Sequence, residues 1–182
     1  MIDKVNVNHD VRVLILRSKA RGFTGGSDVT GFEDFSHENM AHYLEGDCRL
    51  MDSIKSCRVP VIMALNRFAV GLGVGIAFAC DLIVAEEGAF LKFPEILVGS
   101  IGGADFLDLL LPDKVARYMA YTGASVSVEE LKQYGVVHQV VPKADLLESC
   151  IALAKTIAAN HPRAVELMKE VLDRTTERGL PI

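Results

Sequence analysis

The sequence predicts a single α/β domain, and three observations carry that reading. Short, strongly apolar runs of strand length alternate with glycine-bearing loops and helical patterns through most of the chain. The C-terminal part is helical in pattern. No linker, repeat or low-complexity stretch divides the 182 residues, which suffice for one core but hardly for two. The domain is expected to span 1–182, with a core over about 1–142 and C-terminal helices over 143–182.

Val11 to Leu16 (VRVLIL), ending at Arg17, predicts a strand buried on both faces. A glycine loop follows over Arg21 to Asp28 (RGFTGGSD), and Asp34 to Ile54 mixes polar and apolar residues at helical spacing. Pro60 closes that segment, and Val61 to Leu65 (VIMAL) predicts a second buried strand. Val70 to Gly75 (VGLGVG), followed by Ile76 to Cys80, reads as a tight turn opening a buried helix. Asp81 to Ala85 is a third strand, and Phe90 begins a short fourth. Helices are expected over Lys114 to Tyr121, Ser127 to Gln133, Ala144 to Asn160 and Arg163 to Arg178. Ser127 with Glu130 forms a capping box, and Gly135 is a C-terminal stop. Val136 to Val141 (VVHQVV) predicts one more strand, stopped by Pro142.

Composition excludes several classes of function. The net charge is −5, with a pI near 5.5 and no Lys/Arg cluster, which argues against nucleic-acid or anionic-membrane binding. Mild acidity still permits a polyanionic ligand, because a few basic groups and helix N-termini can hold phosphates. Cys48, Cys57, Cys80 and Cys150 make no CxxC pair or metal spacing, and read as thiols in a reducing compartment. Asp3 and Lys4 follow Met1 and Ile2 directly, which gives no secretory leader. The longest uncharged apolar run, Phe68 to Cys80, falls well short of the ~20 residues of a membrane span. A soluble cytoplasmic protein is expected.

Several motifs fail. A dinucleotide fingerprint starting at Gly71 needs glycine where Ile76 stands, and one starting at Gly73 needs it where Phe78 stands. Ser100 lacks the glycine two places before it that a nucleophile elbow requires. Neither HExxH nor a phosphate loop is present, and His138 reads as a surface or satisfied core residue rather than a base.

Two stretches together resemble the enoyl-CoA hydratase/isomerase (crotonase) superfamily. One is Val11 to Phe32 (VRVLILRSKARGFTGGSDVTGF). The other runs from Val59 to Pro142 and includes the second glycine loop, the Cys80-Asp81 pair and the Phe93-Pro94-Glu95 turn. The resemblance implies a spiral of ββα units, as in the ClpP/crotonase fold, with a helical C-terminal region. It implies an acyl-CoA thioester as substrate, with coenzyme A part of that substrate and no further cofactor or metal. A homotrimer or a hexamer is implied as the assembly.

By residue-by-residue match, the backbone N–H groups of Ser27 and Leu72 would bind the thioester oxygen. Gly26, Asp28, Gly71, Gly73 and Gly103 would line the substrate site. Glycine is usual where Leu72 stands, so its side chain should reshape the acyl pocket. Hydratases of the family use two glutamates. The position of the first is Gly75, and the second is present as Glu95. One carboxylate still suffices to move a proton between carbons, as in the family's Δ3,Δ2-enoyl-CoA isomerases. Hydrolases of the 3-hydroxyisobutyryl-CoA type are similar at Gly75 and Glu95 but add an aspartate where Gly103 stands. Asp105 is either a second acid/base, as a hydratase or hydrolase would need, or the N-cap of a helix starting near Phe106. A non-catalytic CoA-binding homologue is the third alternative. Asp28 is expected to bind loop backbone; Lys92, Lys155, Arg163 and Lys169 could meet CoA phosphates, but exposed surface charges are the default reading and none is singled out. The resemblance further implies strands before Met1 and helices after Ile182, so the chain reads as a shortened member with an open sheet edge.

Overall fold

The computed structural model describes residues 2–28 and 37–177, with side chains over 2–28 and 45–174. The chain runs α1 (Ile2–Val7), β1 (Leu14–Arg17), α2 (His37–Lys55), β2 (Val61–Leu65), β3 (Phe68–Val70), α3 (Leu72–Ala79), β4 (Leu82–Glu86) and β5 (Phe90–Lys92). A 3-10 turn at Glu95–Val98 leads to α4 (Ala104–Leu110), α5 (Asp113–Thr122), β6 (Ser125–Ser127), α6 (Val128–Gln133) and β7 (Gln139–Val141). A second 3-10 turn at Lys143–Asp145 precedes α7 (Leu146–Ala158) and α8 (Pro162–Glu177).

Two sheets organise these elements. A parallel sheet has the order β1-β2-β4-β7, and a smaller one has the order β3-β5-β6, with β6 antiparallel. Each turn of the chain adds one strand to each sheet and then a helix. β2, β3 and α3 make one such unit, and β4, β5 and α4 make another. The first unit has β1, then only Thr24, which bridges Ala69 of β3 in parallel, and then α2. This is the ββα spiral that the resemblance implies.

β2 lies at the centre because all five of its residues are buried and face two different cores. Val61, Met63 and Leu65 join the larger cluster, with Met51 and Ile54 of α2 and Val74 and Ala77 of α3. Ile62 and Ala64 face Leu146 and Cys150 of α7. Burying an aliphatic side chain stabilises the fold by roughly 1.5–3 kcal/mol, so this VIMAL run is a large local contribution.

Some boundaries differ from the expected ones. The first strand starts at Leu14 rather than Val11 and is half-buried, because among the described residues it pairs only with β2 and forms the sheet edge. The last strand starts at Gln139, since the N–H groups of Val136 and Val137 donate to Leu131 O and close α6 instead. The three-residue strands β3 and β6 are too short to show alternation in sequence. The capping box is present: Ser127 Oγ accepts from Glu130 N, and Ser127 N donates to Glu130 Oε2, both at 3.2 Å. His138 is exposed.

Lys169 differs from its expected role. Its side chain is buried and its ammonium pairs with Asp81 at 2.8 Å and Asp173 at 3.2 Å. Asp81 also accepts from Val61 N at 2.7 Å, so this pair fastens α8 to the start of β2. It is structural and is not offered to a phosphate.

Candidate functional site

The site forms where two glycine turns and one carboxylate meet. The first turn is strapped to β3: Phe23 N donates to Phe68 O at 2.9 Å, and Val70 N donates to Thr24 O at 3.1 Å. That strap sets Gly26 against Gly71. A Cβ on Gly26, at φ 98°, would lie 3.0 Å from Val70 O. A Cβ on Gly71, at φ 57°, would lie 2.7 Å from Glu95 Oε1 and 3.8 Å from Gly26 Cα. Both positions need glycine, for their left-handed backbone and for this close approach.

Ser27 follows Gly26, and Leu72 opens the eight-residue α3. Among the described residues neither the Ser27 N–H nor the Leu72 N–H has a protein acceptor. For Leu72 this is the ordinary condition of a helix's first N–H, which suits an anion at that end. Gly73 packs on the first turn, where a Cβ would stand 2.5 Å from Thr24 Cγ2.

Glu95 sits in the 3-10 turn after Pro94, which Gly99 terminates in the left-handed region while Ser100 N donates to Glu95 O at 3.0 Å. Its side chain is wedged between Gly71 and Gly102, where a Cβ would come 2.6 Å from Glu95 Cγ. Glu95 Oε2 is buried with no hydrogen-bond partner among the described residues. Burial pushes the Glu95 carboxyl above the ordinary carboxylate value; a backbone hydrogen bond at Glu95 opposes this, and the charge of Asp47 adds to it.

Asp47 was not singled out by sequence. It projects from α2, is half-buried, and accepts from Ser27 Oγ at 3.1 Å on one oxygen and 3.4 Å on the other. Burial raises its carboxyl as well, with the Ser27 hydrogen bond opposing. A signal was available: Asp47 stands four residues before Met51 and seven before Ile54, so it is an acidic residue on the inward stripe of the helix.

Gly75 is filled from outside. A Cβ there would lie 2.5 Å from Met51 Sδ and 3.5 Å from the Phe106 ring, which stacks on Phe78 with centroids 5.6 Å apart. Gly103 also touches Phe106 rather than Glu95; the glycine beside Glu95 is Gly102. Asp105 does not cap α4, because Gly103 is its N-cap and makes no side-chain bond. Asp105 is an exposed residue of the first turn. Asp28 is exposed on the first loop.

Cavities of about 410 and 500 Å³ lie elsewhere, the first beside Arg17 and Asn66 and the second between α8 and the start of β4. Among the described residues no group of three or more His, Cys, Asp or Glu could hold a metal, and no helix is long and apolar enough to cross a membrane. The arrangement brings two glycine turns, each followed by a backbone N–H with no protein acceptor among the described residues, against one half-buried carboxylate that has a buried oxygen.

Known proteins match closely. The family model described as enoyl-CoA hydratase/isomerase matches residues 2–181. A (7aS)-7a-methyl-1,5-dioxo-2,3,5,6,7,7a-hexahydro-1H-indene-carboxyl-CoA hydrolase from Mycobacterium tuberculosis is 34% identical over 178 residues, covering 94% of this chain and 70% of that protein. A putative enoyl-CoA hydratase from Thermus thermophilus is 31% identical, covering 98% of this chain and 73% of its own. Among solved structures, an enoyl-CoA hydratase from Bacillus anthracis superposes with a TM-score of 0.87 at 30% identity, over 97% of this chain and 74% of that one.

Proposed function

The chain belongs to the enoyl-CoA hydratase/isomerase family, and we propose that within it this protein moves a double bond along an enoyl-CoA, with Glu95 as the proton carrier. The observation that carries the reading is the pairing of Glu95, with its buried unpartnered oxygen beside Gly71, with a Gly75 position occupied by Met51. A family hydratase holds its first glutamate at that position.

In this reading the thioester oxygen accepts from Ser27 N–H and Leu72 N–H. Glu95 takes a proton from C2 of a 3-enoyl-CoA, and the negative charge moves onto the thioester oxygen. The same proton then returns at C4, which leaves a 2-enoyl-CoA of unchanged mass. Each donor aimed at the developing charge contributes about 3 kcal/mol to such a step. The raised Glu95 carboxyl supports the role, since a base whose basicity lies nearer the working pH transfers protons more effectively.

A second reading, acyl-CoA hydrolysis, is favoured by the name of the Mycobacterium tuberculosis relative, a carboxyl-CoA hydrolase. A hydratase that recruits Asp105 is less well supported, because Asp105 is exposed. Assembly as a homotrimer or hexamer goes with either reading, and the exposed Met168 and Leu172 on α8 support it.

The test is incubation with a trans-3-enoyl-CoA and mass measurement of the products. A 2-enoyl-CoA of unchanged mass, lost in Glu95→Gln, is expected. Gain of one water would mean hydration, and free CoA would mean hydrolysis. Untouched substrate would favour the non-catalytic, CoA-binding alternative or another acyl group.

A further inference from the structure

We infer that Asp47 is a second carboxylate of this site: a positioning residue that holds the Ser27 turn by its hydroxyl and sets the electrostatic surroundings in which Glu95 works. The inference rests on the reading of Glu95 as proton carrier, and the experiment below separates the two.

The geometry forms a continuous path. Ser27 Oγ donates to Asp47, and Ser27 follows Gly26. Gly26 abuts Gly71, and Gly71 abuts Glu95 Oε1. One hydrogen bond, one contact between backbones and one between backbone and side chain therefore link the two carboxylates across both glycine turns. The face of α2 explains why the partner comes from there. Met51 fills the space beside Gly75, and Asp47 lies one helical turn before Met51 on the same side. α2 thus brings a carboxylate to the site while closing off the place where α3 could have carried one.

Charge gives Asp47 its second effect. Both carboxylates are half-buried, and like charges partly withdrawn from water resist ionising together. Burial raises the Glu95 carboxyl, and the negative charge of Asp47 adds to that rise. The other charged groups nearby are directed elsewhere or exposed. Glu45 and Arg49 of α2 pair with each other at 3.7 Å in solvent. Lys55 lies 3.9 Å over the Phe78 ring. Asp105 and Asp108 of α4 are exposed, as is Asp28 next to Ser27. Lys92 of β5 meets the site through its carbonyl, which accepts from Gly71 N at 2.9 Å.

The direct test is a carbon-13 NMR titration of side-chain carboxyls in the free protein, with Glu95 assigned by its loss in Glu95→Gln. Asp47→Asn keeps an acceptor for Ser27 Oγ and removes the charge, whereas Ser27→Ala removes the hydrogen bond and keeps the charge. The Glu95 midpoint is expected to fall toward the ordinary carboxylate value in Asp47→Asn and to move less in Ser27→Ala. Asp47→Ser gives the same reading if the asparagine variant folds poorly. With trans-3-enoyl-CoA, the acid limb of kcat/KM should follow the midpoint to lower pH, and kcat should fall by about tenfold. An identical Glu95 midpoint in wild type and Asp47→Asn overturns the proposal. Full turnover in Glu95→Gln would instead remove Glu95 as proton carrier, while the titration still decides on Asp47.

Discussion

The sulfur of Met51 lies 2.5 Å from the point where a Cβ on Gly75 would stand. A glutamate at residue 75 therefore competes with a core methionine that is 3% exposed. Gly75→Glu is expected to lose stability by at least about 2 kcal/mol, through displaced packing and a desolvated carboxylate. Met51→Ala alone should cost about 2–5 kcal/mol. The double variant should cost less than the sum of the two by about 1 kcal/mol or more, because the shorter side chain opens the space. Urea unfolding of all four proteins gives the cycle, and strict additivity would mean that the two residues do not compete.

Glu95 links the site to stability through pH. Burial raises its folded carboxyl above the unfolded value of about 4.3. The folded state then holds this proton more tightly than the unfolded one, so stability falls as pH rises from the unfolded midpoint through the folded one. Glu95→Gln has no such charge to bury. It should be more stable than wild type at pH 7, with the advantage shrinking as pH drops toward 4. Thermal melts across that range test the sign, and a difference that does not vary with pH would count against the buried charge.

Much of this arrangement was legible in the residues themselves. The VIMAL run announced a doubly buried strand because all five of its residues are apolar, and the two faces they fill are now known. The two glycine turns and Glu95 stand out through the family resemblance, which rests on the order and separation of the two loops and the Pro-Glu turn. Asp47 was missed for a physical reason: its role depends on where α2 packs, and Ser27 lies 20 residues away in sequence. Lys169 was misjudged for a similar reason, since the pairing with Asp81 spans 88 residues.

Ser127 and Asp105 make a controlled comparison of two capping candidates. Ser127 has both reciprocal bonds with Glu130, whereas Asp105 lies beyond its helix's N-cap with no cap bond from that position. Ser127→Ala is expected to cost about 1 kcal/mol. Asp105→Asn should stay within about 0.5 kcal/mol, the scale of a lost charge at an exposed helix start. It should also leave turnover within twofold of wild type. A larger loss of rate in Asp105→Asn would bring that aspartate back as an acid/base.

The Lys169–Asp81 pair is the remaining place where one side chain decides how an element docks. Lys169→Ala removes an ammonium that is 5% exposed and leaves Asp81, 24% exposed, facing the start of β2 without its cation. Breaking a fully buried pair costs about 3–5 kcal/mol. Partial exposure of Asp81 reduces that here, and a loss of about 2 kcal/mol is expected. Lys169→Met keeps most of the aliphatic stem, so it separates lost packing from lost charge. Because α8 packs through this pair, its amide hydrogens should exchange faster in both variants, while those of β2 stay protected. Hydrogen exchange read by mass spectrometry distinguishes that outcome from a uniform loss of protection, which would mean that the pair supports the whole fold rather than one helix.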